Sequence, residues 1–341
     1  MALRIIEIIA LETSRAGLEE IIEKHPTLDQ WSRQLADGRR QLYVLLETKA
    51  TEALLDDLET YHANEPGFRL LLQQVEATIP AVEVKKETPV DKLDADVSDK
   101  KVNDRISRHE LYNNIAGGAK ASSYFYLNIV IATVVAAIGL VRADTAIIIA
   151  AMVIAPLLGP NMALALATTL GDKELARNAL WTNGKGLAVT VAASLVLSLV
   201  LLFIGEPVVN STAIMSRTEV GIVDVLLALA AGAAGALAYT HNVAGNLVGV
   251  MVAVALLPPV LCTVLLATHG EFALAGRAFI LFVTNVAGAN LAAVSAFLLS
   301  GIRPRTWWEA DRASRAARRA ITAWAFVLAL LLSILFFFSG E

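Results

Sequence analysis

Residues 122–338 consist of apolar runs of membrane-crossing length parted by short polar breaks, while residues 1–121 mix hydrophobic and charged positions at close spacing. About 20 apolar residues in a helix cross a hydrocarbon layer of about 30 Å. By that measure seven spans are expected, near 122–141, 145–170, 185–205, 221–240, 246–268, 277–300 and 320–338. The predicted fold class is a multi-span α-helical membrane protein carrying an N-terminal α+β domain.

The front end alternates strand-like and helix-like patterns. Arg4–Leu11 is a compact β-rich run, and residues 15–24 place Leu18, Ile21 and Ile22 on one helical face before His25-Pro26 ends it. Trp31, Arg33 and Leu35 alternate up to Asp37-Gly38, and Leu42, Val44 and Leu46 alternate after it, which is a hairpin signal. Residues 52–61 carry Leu54, Leu55, Leu58 and Tyr61 as a second helical stripe; Phe68, Leu70 and Leu72 open a last strand running toward Ile79. The order β-α-β-β-α-β over residues 1–80 predicts a ferredoxin-like sandwich in the cytoplasm. Such a fold does not fix a role, and the segment has no Gly-rich phosphate loop, His/Cys cluster or nucleophile-base pair. It reads as an assembly module or a regulatory ligand sensor. Residues 81–104, dense in charge, form a solvated linker, and residues 105–121 a juxtamembrane helix closed by a Gly117-Gly118 hinge.

Two apolar segments resemble each other. Residues 151–160 read Ala-Met-Val-Ile-Ala-Pro-Leu-Leu-Gly-Pro, and residues 250–259 read Val-Met-Val-Ala-Val-Ala-Leu-Leu-Pro-Pro. Proline deletes a backbone donor and clashes with the preceding turn, so helix breaks are expected within 145–170 and 246–268. These are spans two and five. An offset of three spans turns the copies into opposite orientations, which predicts a 3+3 inverted repeat plus one further span. Thr182-Asn183-Gly184 and Thr284-Asn285 add a second match, on spans three and six. The positive charges of the loops, Lys173, Arg177 and Lys185 together with Arg303, Arg305, Arg312, Arg315, Arg318 and Arg319, put the N-terminus in the cytoplasm and Glu341 outside. Thr306-Trp307-Trp308-Glu309 opens an interfacial helix before the last span.

Composition adds little to this pattern. The net charge of −4 averages an acidic front and basic membrane loops, and nothing points to nucleic acid. The single Cys262 excludes an intrachain disulfide and a thiol-metal cluster. Glu7 within the first apolar run and the lack of a small-residue cleavage site argue against a signal peptide. Ionisable groups are almost absent from the spans, so a carboxylate proton relay is not expected; neither is an enzyme, and no cofactor is called for.

Amides and hydroxyls beside the prolines are what remains for chemistry. A broken helix exposes N–H groups that suit anions and carbonyls that suit cations. The candidate solute-binding residues are Pro156, Gly159, Pro160, Asn161, Asn246, Pro258, Pro259, Thr284, Asn285 and Asn290. Against this stands ordinary packing, since Asn, Ser and Thr also join membrane helices and Pro also kinks them. The small residues at 230–236 and the Gly245–Gly249 spacing permit close helix contact, and a homo-oligomer in the lipid bilayer is expected. The leading reading is a transporter or channel-like protein for a small solute or ion. The alternative is a non-transporting sensor or scaffold that recognises its ligand through the cytoplasmic domain.

Residues 151–160, with 247–259 and Thr284-Asn285, make the chain resemble the family of uncharacterised hydrophobic membrane proteins catalogued as domain of unknown function 389. The resemblance covers roughly residues 107–300, with Leu158 standing where many members have Met. It implies an integral membrane protein of the bacterial or archaeal cell membrane. It supplies no substrate and no site residues.

Overall fold

The computed structural model describes residues 3–62, 66–75, 108–205, 208–241, 245–302 and 307–338. The chain divides into two units, Met1–Leu111 and Tyr112–Glu341. The linker expected at residues 81–104 and the capping residue Thr306 lie outside the described residues.

The first unit contains β1 (Leu3–Leu11), α1 (Arg15–Glu23), β2 (Asp29–Gln34), β3 (Arg39–Glu47), α2 (Thr48–His62) and β4 (Arg69–Val75). Its antiparallel sheet has the order β2-β3-β1-β4. Period-two alternation turns Ile6, Ile8 and Ala10 of β1 to one face, in register with Val44 and Leu42 of β3 and with Leu72 and Leu70 of β4. There they bury against Leu18, Ile21 and Ile22 of α1 and Leu54, Leu55 and Leu58 of α2. The hairpin between β2 and β3 turns at Gly38, whose φ of +82° is open to glycine at no steric cost. On the opposite face the Glu7 carboxylate is buried between strands and accepts hydrogen bonds from Gln41 and Gln73. Arg4 is 2 % exposed and donates to both carboxylate oxygens of Glu110, at 3.0 and 3.2 Å, in α3 (Arg108–Gly118).

The second unit is helical. After α3 come α4 (Ser123–Val141), α5 (Thr145–Ile154), α6 (Leu158–Leu170), α7 (Lys173–Ile204), the short α8 (Thr212–Met215), α9 (Ile222–Thr240), α10 (Gly245–Thr268), α11 (Phe272–Leu299) and α12 (Trp307–Phe338). Among the described residues, α4, α7, α9 and α11 are each long and apolar enough to cross a membrane, and α5 with α6 form a bent pair that would count as a fifth. Three aspartates explain how these helices start. Asp144 accepts from the N–H groups of Ala146 and Ile147, and Asp172 from those of Glu174 and Leu175. Asp224 reaches back to the Gly221 N–H at 2.8 Å. Carboxylates at helix N-termini satisfy donors that have no intrahelical partner and complement the helix dipole.

Several boundaries differ from the sequence pattern. The polar residues 173–184, expected in a loop, belong to α7, because Asp172 caps that helix twelve residues before its apolar stretch begins. The interfacial segment and the last span are one helix, α12, with no breaker between Trp307 and Phe338. Gly118, expected with Gly117 as a hinge, ends α3, and a Cβ built on it would stand 2.9 Å from the Cα of Gly159, so the pair of glycines lets two backbones touch.

The tightest contact joins α9 and α11. A Cβ on Gly232 would lie 2.1 Å from the Ala289 carbonyl oxygen, and one on Gly288 would lie 2.8 Å from the Ala228 Cβ. Small residues permit such an approach, and dispersion between backbones then replaces side-chain interlocking. Hydroxyl groups add polar cross-links. Thr182 Oγ1 of α7 donates to the Ala119 carbonyl at 2.6 Å, Ser198 of α7 bonds Thr268 of α10, and Ser211 donates to the Leu140 carbonyl.

Gly232→Val is expected to abolish recovery of monodisperse protein, since the clash is with backbone. Gly276→Ala, on an open helix surface with no heavy atom within 4 Å, keeps the stability or raises it by up to about 1 kcal/mol. Equal stability of the two variants on size exclusion and thermal melting would refute the contact.

A second expectation concerns Tyr112, which donates to Asp172 Oδ2 at 2.8 Å. Burial, followed by that bond to a carboxylate, pushes its phenol up to about 12. A pKa raised in the folded state stabilises fully below the unfolded value of about 10 and is lost as pH climbs through the folded value. The phenolate absorbance of wild type minus Tyr112→Phe should therefore titrate late, with a midpoint near 12. An ordinary tyrosine midpoint in that difference would sink the assignment.

Candidate solute site at the helix break

The break begins with Pro156. Its ring disfavours helical geometry at the residue before it, and Ala155 is extended at φ −70°, ψ 117°. The Ala155 N–H still bonds the Ala151 carbonyl at 3.1 Å and closes α5. The chain then turns through 57° into α6. Pro160 is the third residue of α6, where an amide hydrogen would have no partner in the helix anyway. The two prolines are therefore spaced so that one ends a helix and the other fits the start of the next. Ten residues of α5 rise about 15 Å, half of a hydrocarbon layer of about 30 Å.

The second proline pair behaves differently. Pro258 and Pro259 lie inside α10, which runs from Gly245 to Thr268 without ending at them, so the break expected in 246–268 is not found. Adjacent prolines remove two neighbouring donors but leave no spacer in which the chain could turn. The helix is also clamped by buried Leu256, Leu257, Leu261 and Leu265 on either side. Thr263 Oγ1 donates to the Pro259 carbonyl at 2.8 Å, within the same helix.

Residues 155–161 form a wall common to two cavities. The first, about 450 Å³, is lined by Ala155, Pro156 and Gly159 from the break, by Lys120, Ser122 and Asn128 from the approach to α4 and α4 itself, and by Tyr239 of α9. The second, about 350 Å³, takes Leu157 and Asn161 from the break, and Asn183 and Thr190 from α7. Leu256, Leu257 and Val260 from α10, Val283 and Val286 from α11 and Trp324 from α12 complete it. The first lining mixes an ammonium, hydroxyls and an amide. The second is mainly aliphatic and aromatic, with three polar side chains.

The sequence-predicted residues distribute unevenly over this geometry. Pro156 and Gly159 line the first cavity and Asn161 the second. Asn161 is 7 % exposed, and its Nδ2 donates to the Leu157 carbonyl at 2.8 Å, one turn back. Pro160, Pro258 and Pro259 are buried and line neither cavity, although Leu257 and Val260 beside the latter pair do. Thr284, Asn285 and Asn290 are buried in α11, outside both linings. Asn290 Nδ2 donates to the Val286 carbonyl at 2.9 Å, while Asn290 Oδ1 and Thr284 Oγ1 have no hydrogen-bond partner among the described residues. Asn246 belongs to the first turn of α10, and its side chain lies outside the described residues.

Sequence reasoning missed Lys120, Ser122, Asn128, Tyr239, Thr190 and Trp324. Asn128 carried a usable signal, as the one amide in the apolar run of α4. Asn183 was visible within the repeated Thr-Asn pair but stood out only as a marker of the repeat.

Thr284 is 1 % exposed, so its unpartnered hydroxyl costs free energy where it stands. Thr284→Val is expected to leave the melting temperature unchanged or raise it, whereas Asn161→Leu loses a hydrogen bond and about 1 kcal/mol. A marked fall in the melting temperature of Thr284→Val would show that the hydroxyl is bonded after all.

The family described as Domain of unknown function (DUF389) matches residues 152–291, from the end of α5 into α11. An uncharacterized protein of Methanocaldococcus jannaschii is 32 % identical over 326 residues, covering 95 % of this chain and 96 % of that protein. No solved structure matches. With a likeness that spans both units and a family match that begins at the broken helix, the chain belongs to the DUF389 family.

Proposed function

We propose that the helical unit is a membrane transporter or channel-like protein that moves a small solute or ion, with the first unit as a cytoplasmic ferredoxin-like regulatory domain. One observation carries this reading: the break at residues 155–161 separates two cavities, and the second of them also reaches the other proline-bearing helix at Leu256, Leu257 and Val260. Non-helical backbone at membrane depth is tolerated where it is enclosed by protein or lines a cavity. A half-length helix followed by a bend is the element from which transporter sites are built. In this reading the wall moves, and solute passes from one cavity to the other. Seven spans, a 3+3 inverted repeat plus one and a cytoplasmic N-terminus remain part of the proposal. So does assembly as a homo-oligomer in a bacterial or archaeal cell membrane.

The continuity of α10 favours a second reading, because it leaves the two proline segments unequal in form. In that reading the spans anchor and oligomerise a sensor, and the first unit recognises the ligand. Asn161 fits either role, since its amide is spent partly on its own helix.

Flux decides between them. Proteoliposomes holding the full chain are expected to release a subset of a solute panel (small carboxylates, phosphate, alkali cations and neutral polyols) faster than protein-free vesicles. Asn161→Leu and Pro156→Ala should lower that release about tenfold while each variant still reconstitutes. Release at the protein-free rate for every solute would leave the sensor reading standing and end this one.

A further inference from the structure

From the charge of its lining we infer that the first cavity is a binding site for a small oxyanion, a carboxylate or phosphate group held at the mouth by Lys120. This deepens the transport reading and rests on it only for the claim that the bound anion moves.

The polar groups of this cavity come from three separate parts of the fold. Lys120 and Ser122 lie on the link between α3 and α4, Asn128 is in the second turn of α4, and Tyr239 is near the end of α9. Lys120 is exposed, and its ammonium has neither an ion pair nor a hydrogen bond among the described residues. The Tyr239 hydroxyl is likewise without a partner among them. Among the described residues, no aspartate or glutamate belongs to the lining.

The backbone at the break adds two opposed half-charges. The C-terminal end of α5 lines the cavity at Val153 and Ile154, and the first turn of α6 lines it at Leu158 and Gly159. A helix C-terminus carries roughly −0.5 and a helix N-terminus roughly +0.5 of an elementary charge. These ends meet within a few residues and largely cancel. The integer charge of Lys120 therefore sets the sign, and hydroxyl and amide donors stand ready for oxygen atoms of the ligand. A cation would meet Lys120 with no carboxylate to offset the repulsion. The volume of about 450 Å³ exceeds a bare anion, so an organic tail on the oxyanion is accommodated.

Free anions and lipid headgroups offer the same chemistry, and the test separates them. The full chain in phosphatidylcholine nanodiscs is titrated with inorganic phosphate and with acetate, using choline as the cationic control, and binding is read by calorimetry and thermal shift. Saturable binding of either anion is expected, weakened about tenfold or more by Lys120→Gln and by Asn128→Ala and retained in Lys120→Arg. If a headgroup is the natural occupant, phosphatidylglycerol in the discs raises the melting temperature of wild type but not of Lys120→Gln, and free phosphate competes with it. Absence of saturable oxyanion binding together with indifference to phosphatidylglycerol overturns the site. So does binding that Lys120→Gln leaves unchanged in a variant that still runs as wild type on size exclusion. Anion binding without flux would keep the site and remove the transport reading; flux of an anion untouched by Lys120→Gln would keep transport and remove the site.

Discussion

The helical unit is organised around the line where α9 and α11 lie backbone to backbone. Gly232 against Ala289 and Gly288 against Ala228 bring these helices closer than side chains would allow. The closeness sets the position of α11, and α11 in turn carries Phe282, Val283 and Val286 to one wall of the second cavity. Between apolar helices in an apolar solvent the hydrophobic effect gives no drive to associate, so contact area and geometry decide the packing. That explains why residues without side chains hold a more exacting place here than any leucine.

The two proline segments show how spacing governs what proline does. Pro156 and Pro160 stand four apart, so that the first follows the extended Ala155 and the second falls in the first turn of a fresh helix. Pro258 and Pro259 stand together, and the helix absorbs them. Composition alone equates the segments, because each holds two prolines and a Leu-Leu pair. What separates them is where the missing donors fall relative to the first turn of the next helix.

Much of the first unit was legible from its residues. Alternation in β3 and β4 and the stripes of α1 and α2 fall on core positions, whereas β1 was legible as a strand and not in which of its residues face inward. The helical unit was legible in its apolar stretches and less so in its ends, because capping by Asp172 extends α7 through residues that look like a charged loop. The candidate site was half visible. Pro156, Gly159 and Asn161 carry the break in their own local sequence, and each meets a cavity. Lys120, Asn128 and Tyr239 come together only because α3, α4 and α9 fold onto the break, and no local pattern encodes that meeting. Thr284 and Asn290 look like site residues by type, yet α11 turns them away from both cavities.

The ten-residue length of α5 also makes it depend on its neighbour. A segment that short does not hold a transmembrane position by itself. Only a tight turn through Arg142, Ala143 and Asp144 separates it from α4, and Gly139 fits against Ile148 across the pair. The two helices therefore pack as one hairpin, in which α4 supplies the apolar length that α5 lacks.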